Sequence, residues 1–170
     1  MDIIRKAEIC DIISITNIYN QAISAGNCTC DLESKVLENR MIWYKKHNEK
    51  TPIFVYEHED EILGYSYISA YREGRNAIKS IGEVSFYVDY SHHKKGIGSS
   101  LLGFTIKKAV ELGYTHLLAI VIECNKNSIS LLRKFGFVEW GRFPNIVKIK
   151  CSYFSHLYFG LALSDRYIEQ

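Results

Sequence analysis

The residue types able to do chemistry are concentrated in one short run, Lys94-Lys95-Gly96-Ile97-Gly98-Ser99-Ser100. It lies between a β-branched and aromatic stretch, Val84–Val88, and a longer run with helical periodicity. At a strand-to-helix turn, glycines let the backbone close on a ligand, and exposed N–H groups at the positive helix end favour a phosphate. The two lysines add charge to the same rim, so the run reads as an anion cradle. Gly and Ser at a helix start also serve as plain caps. Counting excludes two common nucleotide sites. The third glycine of the Rossmann pattern would fall on Leu101, and no Gly-Lys-Ser/Thr follows four spacers as a Walker loop requires.

Other reactive residues form no such constellation. Cys10, Cys28, Cys30, Cys124 and Cys151 are odd in number and lack Cys-x-x-Cys spacing, which fits neither a disulfide framework nor a zinc site. The histidines at 47, 58, 92, 93, 116 and 156 include no ligand-like i, i+4 pair, so no metal is expected. The chain of 170 residues is 47% hydrophobic and 24% charged. That length suits one domain, residues 1–170, able to bury a real core. With 21 basic against 19 acidic residues, charge gives no warrant for nucleic acid or a membrane as partner. No apolar run approaches the ~20 residues of a membrane span. The start, Met-Asp-Ile-Ile-Arg, has no signal-like region, and a cytoplasmic protein with reduced thiols is the expectation.

The elements that must position the cradle follow from periodicity. Ile3–Ala7 reads as a short strand. Ile9, Ile12, Ile13, Ile15, Ile18, Tyr19, Ala22 and Ile23 recur at helical spacing and are closed by Gly26-Asn27. A second helix is expected from about Leu32 to His47, with Val36, Leu37, Met41, Ile42 and Trp43 on its apolar side. Ile53–Tyr56 and Ile62–Ile68, joined by an acidic turn, read as a hairpin. Ile81–Val88 is the next strand, with Gly82 marking a bulge or a close backbone approach. A long helix stopped by Gly113 follows, then a buried strand Leu117–Ile122 and a helix from about Asn127 to Phe135 stopped by Gly136. Two last strands are expected near Phe137–Phe143 and Val147–Leu163. The order βααβββαβαββ makes this an α/β (α+β) chain. Hairpins followed by β-to-α crossovers require a mixed, mostly antiparallel sheet of about seven strands, flanked by about four helices.

The loop resembles the acyl-CoA pyrophosphate loop of the GNAT N-acetyltransferases, (Arg/Gln)-x-x-Gly-x-(Gly/Ala), at His93-Lys94-Lys95-Gly96-Ile97-Gly98. More narrowly, the chain resembles the phosphinothricin acetyltransferase branch over about residues 2 to 163. Ile18-Tyr19-Asn20 and Arg40-x-x-Trp43 match the N-terminal half, and Gly64-Tyr65 and Glu83–Val88 match the central sheet. Asn125-x-x-Ser128-x-x-Leu131 with Gly136-Phe137 matches the last helix.

The resemblance implies a GNAT fold in which acetyl-CoA lies where the fourth and fifth strands splay apart. Backbone groups of Phe86 and Val88, in the stretch Phe86-Tyr87-Val88, would bond its pantetheine arm like an added strand. N–H groups from His93 through Lys94, Lys95, Gly96, Ile97 and Gly98, with Ser99 beside them, would hold the pyrophosphate. Asn125 and Ser128 would face the cofactor arm. The co-substrate implied is acetyl-CoA, and the partner a small-molecule amine. An alkyl amine, with a pKa of about 10, must lose a proton to attack a thioester. Glu83 stands where the branch carries its glutamate; removing that proton and orienting the ammonium are both open to it. Arg72 and Arg75 would flank the acceptor side and hold a substrate carboxylate, or stand as solvated loop charges.

Three departures narrow the expectation. Leu132 stands where the branch has a histidine and many GNAT enzymes have a tyrosine, and it can protonate nothing. His93 replaces Arg or Gln, and Lys94 replaces a common glycine. Of the branch's Lys-Phe-Gly-Arg-Trp-x-Asp only the lysine survives, in Lys150-Cys151-Ser152-Tyr153-Phe154-Ser155-His156, so a different acceptor is implied. The expected activity is acetyl transfer to a primary amine of a small amino-acid-like molecule, by direct attack in a ternary complex. The alternatives are a non-catalytic acyl-CoA-binding domain and an acetyltransferase of protein or peptide amines. Family members are often dimers, which makes a homodimer an expectation.

Overall fold

Residues whose spacing marks strands and helices form those elements in the order expected, in a computed structural model that describes residues 2–163. They are β1 (Asp2–Lys6), α1 (Ile12–Ala25), α2 (Leu37–Lys46), β2 (Ile53–His58), β3 (Glu61–Ala70) and β4 (Ile81–Val88). There follow α3 (Ile97–Glu111), β5 (His116–Ile122), α4 (Lys126–Lys134), β6 (Val138–Ile149) and β7 (Ser152–Ala162). One seven-stranded sheet runs in the order β1-β2-β3-β4-β5-β7-β6. Each neighbouring pair is antiparallel except β4–β5. No helix among the described residues is long and apolar enough to cross a membrane.

Alternation along the strands gives each face its own core. Val84, Ile68, Leu117, Ala119 and Val121 pack under Leu102, Ile106 and Ala109 of α3 and Ile129 and Leu132 of α4. On the other face, Val55 and Tyr65, with Tyr67 and Tyr87, pack under Ile12, Ile15, Ile18, Tyr19 and Ile23 of α1. Helix α1 ends where Gly26 takes a left-handed conformation and its N–H reaches the Ala22 and Ile23 carbonyls. Ile9 and Ile13, counted in the apolar stripe by spacing, are solvent-exposed.

Two expectations are corrected. Helix α2 starts five residues later than expected, at Leu37, and Val36, Leu37 and Ile42 are exposed. Its one fully buried residue is Arg40, at 7% exposure. The guanidinium lies 3.7 Å from the Trp43 ring centroid and 4.7 Å from that of Tyr19, so cation–π contact replaces aliphatic packing. Trp43 is accordingly a core anchor. The last hairpin turns at Lys150-Cys151, not near Pro144. β6 carries Pro144 and Asn145 within a register shift between Phe143 and Val147, and Asn145 takes φ 54°. A proline at a bulge removes no ladder bond, which is why the strand continues through it.

Gly82 is a close approach and no bulge. A Cβ there would lie 3.0 Å from Ile68 Cγ2 and 3.1 Å from Leu117 Cδ2. Gly64 is tighter, for its Cβ would stand 2.9 Å from the Tyr87 carbonyl oxygen and 3.0 Å from Leu101 Cδ1. A backbone oxygen cannot step aside, so Gly64→Ala is expected to cost about 1–3 kcal/mol. Thermal unfolding should show this as a midpoint several degrees lower.

Candidate active site

The site begins where the sheet comes apart. β4 and β5 pair at Ile81–His116, Gly82–Leu117 and Glu83–Leu118, and there the pairing stops, although β4 runs on to Val88 and β5 to Ile122. Asp89 donates its N–H to Leu63 and Tyr71 donates to the Ile81 carbonyl, so the odd residues of β4 bond to β3. Thr115 donates to the Ser80 carbonyl, so the even residues face β5. Phe86 and Val88 therefore turn their backbone groups into the gap. One of them is partly engaged, since the His93 ring Nε2 lies 3.0 Å from the Val88 carbonyl oxygen.

A cleft of about 500 Å³ fills the parting, lined among others by Phe86, Val88, Gly98, Asn125 and Leu132. At its mouth the chain makes the 3₁₀ turn Tyr90–His92, capped by Asp89, and enters α3 through Gly96 at φ 88°. Among the described residues the N–H groups of 94–99 meet no protein acceptor, as the open end of a helix leaves them. The His93 N–H differs, being turned 3.5 Å from the Tyr90 carbonyl. Lys94 sits at φ 63°, a conformation costing a non-glycine residue about 1–2 kcal/mol. The loop holds that shape with lysine where glycine would relax it. A Cβ on Gly98 would meet Leu131 Cδ2 at 3.4 Å and Val88 Cγ2 at 3.6 Å, so any larger side chain fills the cradle floor. A row of orphaned N–H groups, two lysines and a helix N-terminus fit a pyrophosphate.

On the opposite wall Asn125 is buried, and its side-chain oxygen accepts the Ser128 N–H at 3.2 Å, starting α4. Among the described residues its amide NH₂ has no acceptor, and Asn125 and Ser128 both line the cleft. Leu132, 1% exposed, closes the back wall as part of the core. The Cys124 thiol is pushed up by burial, which disfavours a nucleophilic thiolate.

Glu83 occupies the last paired position before the strands diverge. By alternation it shares a face with Ser85 and Tyr87, opposite Ser69 and Tyr67 of β3. Burial raises its carboxyl above the ordinary value. No Lys, Arg or His among the described residues forms an ion pair with it. Burial, with the Glu83 charge as a smaller contribution, raises the Tyr67 phenol too. A half-buried carboxylate with no protein cation is suited to a ligand's amine.

Arg72 and Arg75 are exposed in the β3–β4 connection, which enters β4 at the end that carries Glu83 and is remote from the cradle; like Glu83, neither is among the residues lining the cleft. His92 bonds to Asp89 at 3.1 Å. Among the described residues no group of three or more His, Cys, Asp or Glu is placed to hold a metal. Sequence reasoning missed the aromatic layer on the face of the sheet that carries Glu83, namely Tyr65, Tyr67 and Tyr87, with ring centroids 5.2 Å apart for Tyr65–Tyr87 and 6.3 Å for Tyr65–Tyr67. Their odd numbering against Glu83 was the available signal.

A family model described as the acetyltransferase (GNAT) family matches residues 13–137. The chain belongs to the GNAT family. A GNAT relative in Bacillus subtilis (strain 168), YwnH, provisionally named a phosphinothricin acetyltransferase, is 37% identical over 148 residues, covering 86% of this chain and 90% of that protein. The L-methionine sulfoximine/L-methionine sulfone acetyltransferase of Pseudomonas aeruginosa is 30% identical over 145 residues, covering 84% of each. A crystal structure of a GNAT superfamily phosphinothricin acetyltransferase from Sinorhizobium meliloti in complex with AcCoA superposes with TM-score 0.91. It is 25% identical and covers 96% of this chain and 89% of that one. The GNAT fold expected from the sequence is the one observed, and the protein is an acetyltransferase.

Folding raises the proton affinity of Glu83, so its ionisation opposes folding. Stability is lost as pH rises from the unfolded carboxylate value, about 4.3, through the raised native one. Glu83→Gln should therefore melt a few degrees above the unsubstituted protein at pH 7.5, with the gap narrowing as pH falls towards 4, in calorimetric melts across that range.

Proposed function

We propose that this protein transfers the acetyl group of acetyl-CoA to the primary amine of a small amino-acid-like molecule, by direct attack in a ternary complex. The observation that carries the reading is the parted β4–β5 edge, with the N–H row of residues 94–99 at its mouth and Glu83 at its vertex. Relatives named for phosphinothricin and methionine sulfoximine support an acceptor of amino-acid type. The replaced tail from Lys150 to His156 points to a side chain different from theirs.

Bound acetyl-CoA supplies an activated thioester carbonyl. Backbone groups of Phe86 and Val88 hold the pantetheine arm in the gap, residues 94–98 with Ser99 hold the pyrophosphate, and Asn125 and Ser128 face the arm. Glu83 takes the ammonium proton, its raised carboxyl being a better acceptor than an exposed one. The amine nitrogen bonds the carbonyl carbon and gives up its second proton to solvent, the C–S bond breaks, and the thiolate takes a proton from solvent. A thiol with a pKa of about 8.5 is a tolerable leaving group without an acid, and Leu132 can supply none. Arg72 and Arg75, exposed and off the cleft, are read as solvated charges. A cytoplasmic homodimer, with the exposed Trp140, Phe143 and Ile146 of β6 as its contact face, belongs to the same reading.

Thiol release from acetyl-CoA across a panel of amino acids, polyamines and amine drugs tests it. Acceptor-dependent release is expected for amino-acid-like amines. Tight acetyl-CoA binding with no release would favour the non-catalytic binding domain, for which buried Leu132 is the specific observation. With an active acceptor, Glu83→Gln should lower kcat by roughly 10²–10⁴ and leave acetyl-CoA affinity unchanged. Gly98→Val should raise the acetyl-CoA dissociation constant about tenfold or more by filling the cradle floor, read by calorimetric titration.

A further inference from the structure

Three consecutive residues near the C-terminal end of α1 each reach a different point on the two loops at the cleft mouth. The Tyr19 hydroxyl donates to Asp31 Oδ2 at 2.6 Å and lies 3.0 Å from Thr29 Oγ1. The Asn20 carboxamide clamps Lys35 as a strand partner would. Its Nδ2 donates to the Lys35 carbonyl at 3.0 Å and its Oδ1 accepts the Lys35 N–H at 2.8 Å. The Gln21 carboxamide grips the other loop, with Nε2 donating to Asp89 Oδ2 at 2.7 Å and Oε1 accepting the Tyr90 N–H at 2.9 Å.

These bonds bear on the site because of what the loops carry. The Asn20 loop brings Asn27 and Cys28 to the cleft. The Gln21 loop is the root of the cradle. The other oxygen of Asp89, Oδ1, takes the Ser91 N–H and hydroxyl and so caps the turn Tyr90–His92. The open N–H row begins two residues beyond that turn. The Ser91, Gln21 and His92 bonds outweigh burial and hold the Asp89 carboxyl at about 2, so the clamp carries a full charge. The two loops touch where Cys28 Sγ lies 3.3 Å from the Tyr90 hydroxyl. Meanwhile Ile15, Ile18, Ala22 and Ile23 lock α1 to the sheet, making it a fixed frame for both. Neither Asn20 nor Gln21 lines the cleft.

We propose that Gln21 and Asn20 are positioning residues, Gln21 setting the anion cradle through Asp89 and Tyr90, and Asn20 setting the α1–α2 loop at the cleft mouth through Lys35. One helix turn thereby positions the two loops separately. The proposal rests on the acetyl-CoA reading of the cleft.

A charge swap tests it. Asp89 uses one oxygen for its own turn and the other for Gln21, so Gln21→Glu faces two carboxylates together. Adding Asp89→Asn restores one donor and one acceptor across the same contact. In calorimetric titrations with acetyl-CoA, Gln21→Ala and Gln21→Glu are each expected to weaken binding about tenfold, as loss of a hydrogen bond to a charged group does. The Gln21→Glu/Asp89→Asn double variant should return to within about threefold of the unsubstituted protein. Asn20→Ala should leave acetyl-CoA affinity within that same range while raising the rate of Cys28 alkylation by iodoacetamide several-fold, followed by peptide mass spectrometry. A double variant as weak as Gln21→Glu, or Asn20→Ala weakening acetyl-CoA as much as Gln21→Ala, would overturn the proposal. If the unsubstituted protein bound no acetyl-CoA, the cleft reading would fall. The Cys28 rate would still decide whether Asn20 holds its loop.

Discussion

Everything at the site follows from a backbone that stops pairing. A central strand normally bonds on both edges, and a buried N–H or C=O without a partner is worth roughly 1–3 kcal/mol of lost stability. β4 violates this from Val84 onward, bonding only to β3 along the stretch where β5 has turned away. The edge so opened sits in the middle of the sheet and not at its rim, where an extended ligand can complete it as an added strand. Beside the parting, Phe86 and Leu131 lie against the α3–α4 core, while Tyr87 belongs to the α1 core. The two faces of β4 are thus tied to different helices.

Around that opening, polar side chains do what backbone pairing cannot. Gln21 and Asn20 hold two loops from one helix, and Asn125 begins α4 through its side-chain oxygen. Lys94 accepts a left-handed conformation, a local strain of the kind concentrated where a loop is shaped for a ligand. Glu83 sits where the strands part, deep enough for its carboxyl to hold a proton more tightly, with the phenol of Tyr67 close enough to feel its charge.

Much of this was legible in the sequence, and what was not has identifiable causes. Element order followed from local period, and Gly26, Gly96, Gly113 and Gly136 marked turns because left-handed backbone favours glycine; all take positive φ. The cradle was legible because it is a contiguous segment. Helix α2 was misjudged because period cannot say that an arginine will be the buried residue. Arg40 is inside only because Trp43 and Tyr19, distant in sequence from each other, present two aromatic faces to it. The β6–β7 turn was misplaced because Pro144 breaks a paired strand but not a bulged one. Arg72 and Arg75 were placed on the acceptor side by the resemblance, and the residues alone did not show that their loop stands exposed at the end of β4 remote from the cradle. The contacts of Gln21 span 68 residues or more, beyond any local pattern.

The claim at the centre of this account is that an extended ligand completes the even-numbered edge of β4. Amide hydrogen exchange, resolved by NMR with and without acetyl-CoA, tests it residue by residue. The account predicts that the Phe86 and Val88 amides gain protection on acetyl-CoA binding, while those of Ser85 and Tyr87, already bonded to β3, change little. Saturating acetyl-CoA that left Phe86 and Val88 exchanging as before would contradict it.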